Sequence, residues 1–290
     1  MKRIRIISPA KHIDPSLLSK AANYLHECGF EVEIGEYASG EYHYFSGTIE
    51  ERKSDFQAAL DDEKLDVILC ARGGYGSLQL VDDLDYSQFL KHPKLIIGYS
   101  DITVFHNHIN AHYHLPTVHA TAPLNFEENS KEALASLVNV INGNPNEYRI
   151  EPSPLNLGGE VEAVLVGGNL AILYALIGTD SDIDYTGKIL FIEEIGEAIY
   201  ALDRMFYALK KSGKLNEIAG LIVGGLTAMK DSEKPFGLTA EEVIYTHVKD
   251  LGIPVCFNFP AGHIDDNRAI ILGKKAELSV QLNQVKFIQG

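Results

Sequence analysis

Ser100 stands where an apolar run, Leu95-Ile96-Ile97-Gly98, gives way to a helix-like stretch over 101–112. A serine at such a strand-to-helix elbow lifts its hydroxyl above the end of a sheet, beside the free backbone N–H groups of the helix start. Donors so placed suit a developing oxyanion. An ordinary helix cap is the plainer use of a serine followed by aspartate and threonine. A second turn, Arg72-Gly73-Gly74-Tyr75-Gly76-Ser77, also follows an apolar run, 65–70. It lacks the Gly-x-Gly-x-x-Gly spacing, and no suitable acidic residue ends a strand some twenty positions later, so a dinucleotide site is unsupported. A backbone-lined oxyanion pocket fits better, against the alternative of a loop that merely needs positive φ. In the second half, Leu190-Phe191-Ile192-Glu193-Glu194-Ile195-Gly196-Glu197 places carboxylates after a strand, and Asn258-Phe259-Pro260-Ala261-Gly262-His263 places a histidine after another. A serine hydroxyl attacks only when a base takes its proton, and a histidine does that only in a fixed tautomer. Nucleophile, acid and base in three loops that follow strands is how parallel-sheet proteins build sites.

A metal centre is the competing chemistry, because His106, His108, His112, His114 and His119 crowd one stretch. His108 and His112 share a helix face, yet no His-Glu-x-x-His pattern forms, and zinc needs three or four converging ligands. The cluster is expected to be a polar helix face. Neither a metal nor a cofactor is implied.

Strand-like segments at 3–8, 30–35, 65–70 and 94–98 alternate with helical spacing at 15–25, 50–60 and 101–112. That order predicts an N-terminal α/β domain with a mainly parallel sheet covered on both faces. The tract over 142–159 is rich in Gly, Pro, Ser and Asn, and a domain boundary is expected there. The expected division is a domain over 1–150, a linker over 151–160, and a C-terminal α/β domain over 161–290. The latter should hold strands at 161–166, 188–192, 220–223 and 254–257, helices at 168–177, 198–210 and 239–249, and an antiparallel tail over 269–288, hence a mixed sheet.

The 290 residues are 46% hydrophobic and 22% charged, ordinary for a globular protein of one large or two modest domains. A formal charge of -15 repels phosphate backbones and anionic lipid, so nucleic acid and membrane are excluded as partners. The N-terminal apolar run is too short for a signal peptide and no later stretch spans a bilayer, so the cytoplasm is expected. Cys28, Cys70 and Cys256 have neither disulfide-framework nor Cys-x-x-Cys spacing and are expected as free thiols.

Taken in order, Ala71-Arg72-Gly73-Gly74-Tyr75-Gly76, Gly98-Tyr99-Ser100-Asp101-Ile102-Thr103, Gly167-Gly168-Asn169-Leu170, Leu190-Phe191-Ile192-Glu193-Glu194, Asp203-Arg204-Met205 and Gly262-His263 resemble the LD-carboxypeptidase pattern, peptidase family S66. The resemblance covers nearly the whole chain. It implies a two-domain serine carboxypeptidase, often a homodimer, with Ser100 as nucleophile, His263 as base and Glu193 orienting the imidazole. The backbone of Gly73, Gly74 and Asp101 would form the oxyanion hole. The implied substrate is a murein tetrapeptide whose terminal D-alanine follows lysine or diaminopimelate, with Arg72, Tyr75 and Arg204 as substrate contacts and one of the arginines meeting the free carboxylate. The chain departs from the family in Gln79, where an arginine is common, and in His119-Ala120, where His-Gly is expected. The competing functions are a microcin C immunity-type hydrolase of peptide-nucleotide conjugates and a non-catalytic two-lobed binding protein.

Overall fold

The computed structural model describes residues 1–290. The chain opens with β1 (Arg3–Ile7), α1 (Pro15–Glu27), β2 (Glu31–Ile34), α2 (Ile49–Asp61), β3 (Val67–Cys70), α3 (Ser87–Lys91) and β4 (Leu95–Gly98). It continues through α4 (Thr103–Tyr113), β5 (Thr117–His119), α5 (Lys131–Ile141) and β6 (Asn146–Ile150). The second half contributes β7 (Gly159–Asn169), α6 (Leu170–Leu176), β8 (Ile189–Ile195), α7 (Ile199–Lys211), β9 (Gly220–Thr227), α8 (Ala240–Val248) and β10 (Val255–Cys256). β11 (Ile270–Leu272), β12 (Lys275–Gln281) and β13 (Gln284–Gln289) end it.

Two sheets result, in the orders β11-β5-β4-β3-β1-β2 and β10-β9-β8-β7-β12-β13-β6. In the first, β1 to β5 are parallel and β11 is antiparallel to β5. In the second, β7 to β10 are parallel and the rest antiparallel. This is a two-domain α/β fold with a mainly parallel N-terminal sheet and a mixed C-terminal one. The sheets do not divide the chain at a single point: β6 joins the second sheet before the proline-rich tract, and β11 returns to the first.

Side-chain alternation makes the first sheet two-sided. Ile4, Ile6, Val67, Leu69 and Ile97 pack under α1 and α5 with Leu18, Leu25 and Leu137. Ile68, Cys70 and Ile96 face Phe56, Phe89 and Phe105 from α2, α3 and α4. Strands buried on both faces read as unbroken apolar runs, as Val67–Cys70 does. The second sheet repeats the design: Leu190, Ile192, Leu221 and Val223 meet α6, α7 and α8 on one side. Phe191 and Ile222 meet Phe259, Ile270 and Phe287 on the other.

Two boundaries differ from the sequence reading. β7 runs on to Asn169, so Gly167 and Gly168 end a strand and do not begin a helix; φ values of +130° and +139° give that end a path closed to most residues. A Cβ on Gly167 would lie 1.9 Å from the Phe191 carbonyl oxygen, so only glycine allows β7 to lie this close to β8. Ser100–Ile102 forms a single 3-10 turn, and α4 begins at Thr103. No helix is long and apolar enough to cross a membrane.

Candidate active site

Ser100 sits at the C-terminal end of β4 with φ +65°. A non-glycine residue in this left-handed region costs on the order of 1 kcal/mol or more, and such strain collects at functional turns. Two glycines make the elbow possible. A Cβ on Gly98 would meet the Ile102 side chain at 2.9 Å, and one on Gly73 would meet Ser100 Cβ at 2.7 Å and Asp101 N at 3.0 Å. The glycine turn after β3 therefore lies directly against the serine. Gly74, with φ +115°, points the other way: a Cβ there would meet Lys11 Cβ at 2.9 Å and the Tyr44 hydroxyl at 3.2 Å.

The second domain reaches this elbow through the end of β7. Asn169 N–H donates to Thr103 Oγ1 at 3.0 Å, and a Cβ on Gly168 would run into the Thr103 side chain. Asn169 is the register partner of Glu193 on β8. The start of α4 and the end of β8 are thus held to a common strand. From the other direction, the Tyr99 ring lies 4.8 Å from the His263 ring, and its hydroxyl donates to Asn125 Oδ1 at 2.6 Å.

His263 Nδ1 and Glu193 Oε2 are 2.6 Å apart, with the Glu193 side chain fully buried and that of His263 14% exposed. A carboxylate only accepts, so Nδ1 carries the proton and Nε2 is left free to take one. Burial alone would pull the imidazole pKa down; the Glu193 charge and hydrogen bond, with Glu194 adding a little, outweigh it and raise the pKa above 6.5. Backbone contacts fix the histidine from behind: Thr227 Oγ1 donates to the His263 carbonyl at 2.8 Å, and Gly262 N–H donates to Asn267 Oδ1 at 2.8 Å.

Three carboxylates cluster at the end of β8, Glu193 and Glu194 within it and Glu197 just past it, and their surroundings separate them. Glu194 accepts from Ala171 N–H at 2.7 Å, Ile195 N–H at 2.8 Å and Asn169 Nδ2 at 3.2 Å, which ties it to the start of α6. Burial pushes its carboxyl up, and those donors offset part of the rise. Glu197 offers its backbone carbonyl to Lys230 N–H. Only Glu193 meets the imidazole.

Gly262 gives a direct test of this packing. Its φ is +110°, and a Cβ there would lie 2.7 Å from Glu193 Cβ. Gly262→Ala is expected to lower stability by about 1–3 kcal/mol, through backbone strain plus overpacking, and to cut turnover by spreading the Glu193–His263 pair. Thermal melts and steady-state rates check it; an alanine variant equal to the wild type in both would contradict the packing.

The other residues singled out from sequence fall in different places. Arg72 is half-buried, forms no ion pair, and donates from Nη1 to the His12 carbonyl at 3.0 Å. Burial pulls its guanidinium pKa down, and the Tyr44 and Tyr99 hydroxyls offset part of the drop. Tyr75 is exposed, its ring 6.2 Å from Phe45. Arg204 stands at solvent on α7, with its guanidinium 5.7 Å from the Tyr200 ring centre. The histidines do not converge on one point: the His108 and His112 rings pack 4.4 Å apart, but His106 Nε2 donates to the Gly98 carbonyl at 2.9 Å, His108 Nδ1 meets Ser181 Oγ at 2.9 Å, and His119 lies buried against Phe191. Burial takes His106 down to about 4 and His119 well below the usual imidazole range, so both are neutral. No three His, Cys, Asp or Glu side chains are placed to hold a metal ion.

Several supports of the site went unread in the sequence. Arg52 on α2 is almost fully buried and donates to the carbonyls of Pro9, Gly47 and Gly76 and to Gln79 Oε1. Gln79, noted only as a departure from the family, thus receives a guanidinium from another helix. Thr103 lies inside the elbow motif, five residues after a strand end, and is legible there; Arg52, Asn125 and Asn267 carry no local signal.

Comparison with known proteins adds independent weight. Residues 4–120 match the family described as the LD-carboxypeptidase N-terminal domain, and residues 162–278 match the LD-carboxypeptidase C-terminal domain. A probable murein peptide carboxypeptidase of Bacillus subtilis is 33% identical over 281 residues, covering 95% of this chain and 88% of that protein. The murein tetrapeptide carboxypeptidase of Pseudomonas aeruginosa is 31% identical over 291 residues, with 95% and 92% covered. The crystal structure of muramoyltetrapeptide carboxypeptidase from Oxalobacter formigenes superposes with a TM-score of 0.91 at 27% identity, covering 100% of this chain and 99% of that one. MccF in complex with glutamyl sulfamoyl guanosine, at 22% identity and a TM-score of 0.87 over 100% and 96% of the two chains, shares the fold. With both family domains matched in order and a third of its residues shared with a relative over nearly its full length, the chain belongs to the LD-carboxypeptidase family.

Proposed function

We propose that this protein is a serine carboxypeptidase that removes the terminal D-alanine from murein tetrapeptides, with Ser100 as nucleophile, His263 as base and Glu193 as the group that orients it. The observation that carries the reading is the buried Glu193–His263 pair at 2.6 Å, with the ring of the residue preceding the strained serine packed 4.8 Å from the imidazole. The names borne by the Bacillus, Pseudomonas and Oxalobacter relatives supply the substrate class.

In this mechanism the Ser100 hydroxyl gives its proton to His263 Nε2 as Oγ bonds to the carbonyl carbon before the last residue. The carbonyl oxygen becomes an oxyanion, met by backbone N–H groups of Asp101 and the Gly73-Gly74 turn. The C–N bond then breaks, with the proton passing from Nε2 to the departing D-alanine nitrogen. A water, deprotonated by the same nitrogen, adds to the acyl carbon, and collapse returns the proton to Ser100 Oγ as the tripeptide leaves. Glu193 holds the imidazole through Nδ1 and stabilises the imidazolium. Arg72, which has no acidic partner, is the cation proposed to receive the substrate carboxylate, with Tyr75 beside it; Arg204 is the second such candidate. The proposed setting is murein recycling in the cytoplasm.

A carboxylate clamp and a methyl pocket fix two substituents of the terminal Cα, so inversion there misplaces the scissile carbonyl. A tetrapeptide ending in L-Lys-D-Ala or diaminopimelate-D-Ala is expected to release its last residue, and the matched L-Ala peptide to survive. Chromatography of a muropeptide panel checks this, with a peptidyl-sulfamoyl nucleoside included. Comparable cleavage of both epimers would overturn the stereochemical reading; cleavage of the nucleoside conjugate alone would favour the MccF-like activity.

A further inference from the structure

The Asp101 side chain is turned away from the reaction, yet it joins the two strand ends that supply the proposed oxyanion donors. It is 1% exposed, and its Oδ2 accepts the Ser77 N–H at 2.8 Å. Ser77 begins the short 3-10 turn that closes the Gly73–Gly76 loop. The Asp101 carboxylate therefore fastens that loop to the residue after the serine. Arg52 holds the same loop from below, donating to the Gly76 and Pro9 carbonyls at 3.3 and 2.8 Å. A Cβ on Gly76 would lie 2.7 Å from its Nη1. Burial pushes the Asp101 carboxyl up, while Ser77 and Arg52 offset part of that rise. The other carboxylate oxygen, Oδ1, is buried without a partner. Leaving such an atom in the interior is unfavourable, so this carboxylate is retained against a standing cost.

We infer that the Asp101 side chain is a positioning residue for the oxyanion hole: it sets the distance between the Gly73-Gly74 turn and the N–H at the helix start. The two donor groups come from different loops, after β3 and after β4, and parallel pairing fixes their strands only as far as Leu69 and Ile97. Beyond that pair, the Asp101–Ser77 hydrogen bond and the Gly73–Ser100 contact supply the register. A donor displaced by about 1 Å costs on the order of a hundredfold in rate. The inference rests on the proposed serine mechanism.

The test separates transition-state from ground-state recognition. A peptide boronic acid ending at the third residue accepts Ser100 Oγ at boron; the serine proton passes to His263, and the adduct is a tetrahedral anion that needs the hole. Asp101→Ala is expected to lower kcat and boronate affinity together by about 10- to 100-fold. Substrate affinity, measured in the Ser100→Ala background with and without Asp101→Ala, should fall at least tenfold less than boronate affinity: Arg72 and Tyr75 share the fastened loop, but the hole itself is used only by the tetrahedral state. Asp101→Asn keeps an acceptor for Ser77 N–H and should recover at least tenfold of the boronate affinity lost in the alanine variant. Boronate affinity unchanged in Asp101→Ala, or an equal loss of substrate affinity, would overturn the positioning role. A wild-type protein that forms no boronate adduct would instead remove the nucleophile assignment, and this inference with it.

Discussion

Replacing Ser100 with alanine should lower turnover by about 10⁴- to 10⁶-fold while leaving tetrapeptide binding nearly intact. Removal of the nucleophile in another serine protease costs about 10⁶ in kcat, the residual rate coming from the oxyanion donors and binding alone. The expectation is specific to this elbow, because deleting one hydroxyl leaves Gly73, Gly98 and the start of α4 where they are. Alanine at φ +65° carries much the same backbone strain as serine. The melting temperature should therefore move little, and a rate loss with unchanged stability assigns the effect to chemistry. Steady-state release of D-alanine and calorimetric titration of the tetrapeptide check the two halves. A variant within tenfold of the wild type would mean that another group attacks.

Glu193→Gln should be the next most damaging change, on the order of 10³- to 10⁴-fold, by analogy with the amide replacement in the serine-protease triad. The amide can donate to Nδ1, and that tautomer puts the proton on Nε2, where the base must be free. The pH dependence gives a second readout with a definite sign. In the wild type His263 has a raised pKa, so activity is expected to fall as pH drops through a value above 6.5. Glutamine removes the charge that raised it while burial still pulls it down, so the acid limb should shift to lower pH as the plateau falls. Stability runs the opposite way: with a folded-state pKa above the unfolded one, the His263 contribution is fully present below about 6.5 and is lost as pH rises through the folded value. A pH profile of kcat/KM for the two proteins checks this. An acid limb unmoved by the substitution would remove Glu193 from the histidine.

The residues of the proposed catalytic constellation stand out in the sequence because each lies at or just past the end of an apolar run and breaks its pattern with a polar group. Ser100 after Leu95–Gly98 and Glu193 within Ile189–Ile195 carry that signature directly. The choice among Glu193, Glu194 and Glu197 was not readable locally, since all three share one strand end. It is decided by β8 register, which points Glu193 toward Gly262 and leaves Glu194 to the start of α6. The mainly parallel first sheet follows from alternating segments, but α3, α5 and β6 do not stand out in the sequence. β6 alternates buried and exposed residues, yet it sits between Gly143 and a proline-rich tract, where turn chemistry masks a short edge strand. The return of β11 to the first sheet has no local signal, because three apolar residues pair as well in one sheet as in the other. Arg52 and Asp101 show the same limit at the level of single side chains: a buried charge is visible only once its partners are in space.

The account turns on Ser100 being the atom that bonds to substrate, and a serine-directed covalent probe tests that most directly. The protein should be treated with a peptidyl fluorophosphonate, in which Ser100 Oγ would displace fluoride from phosphorus, and then digested for mass mapping. One adduct is expected, on the peptide containing Ser100, with loss of activity in proportion to labelling and protection by the tetrapeptide. An unlabelled protein that still turns over, or an adduct on a different residue that tracks the loss of activity, would contradict the account.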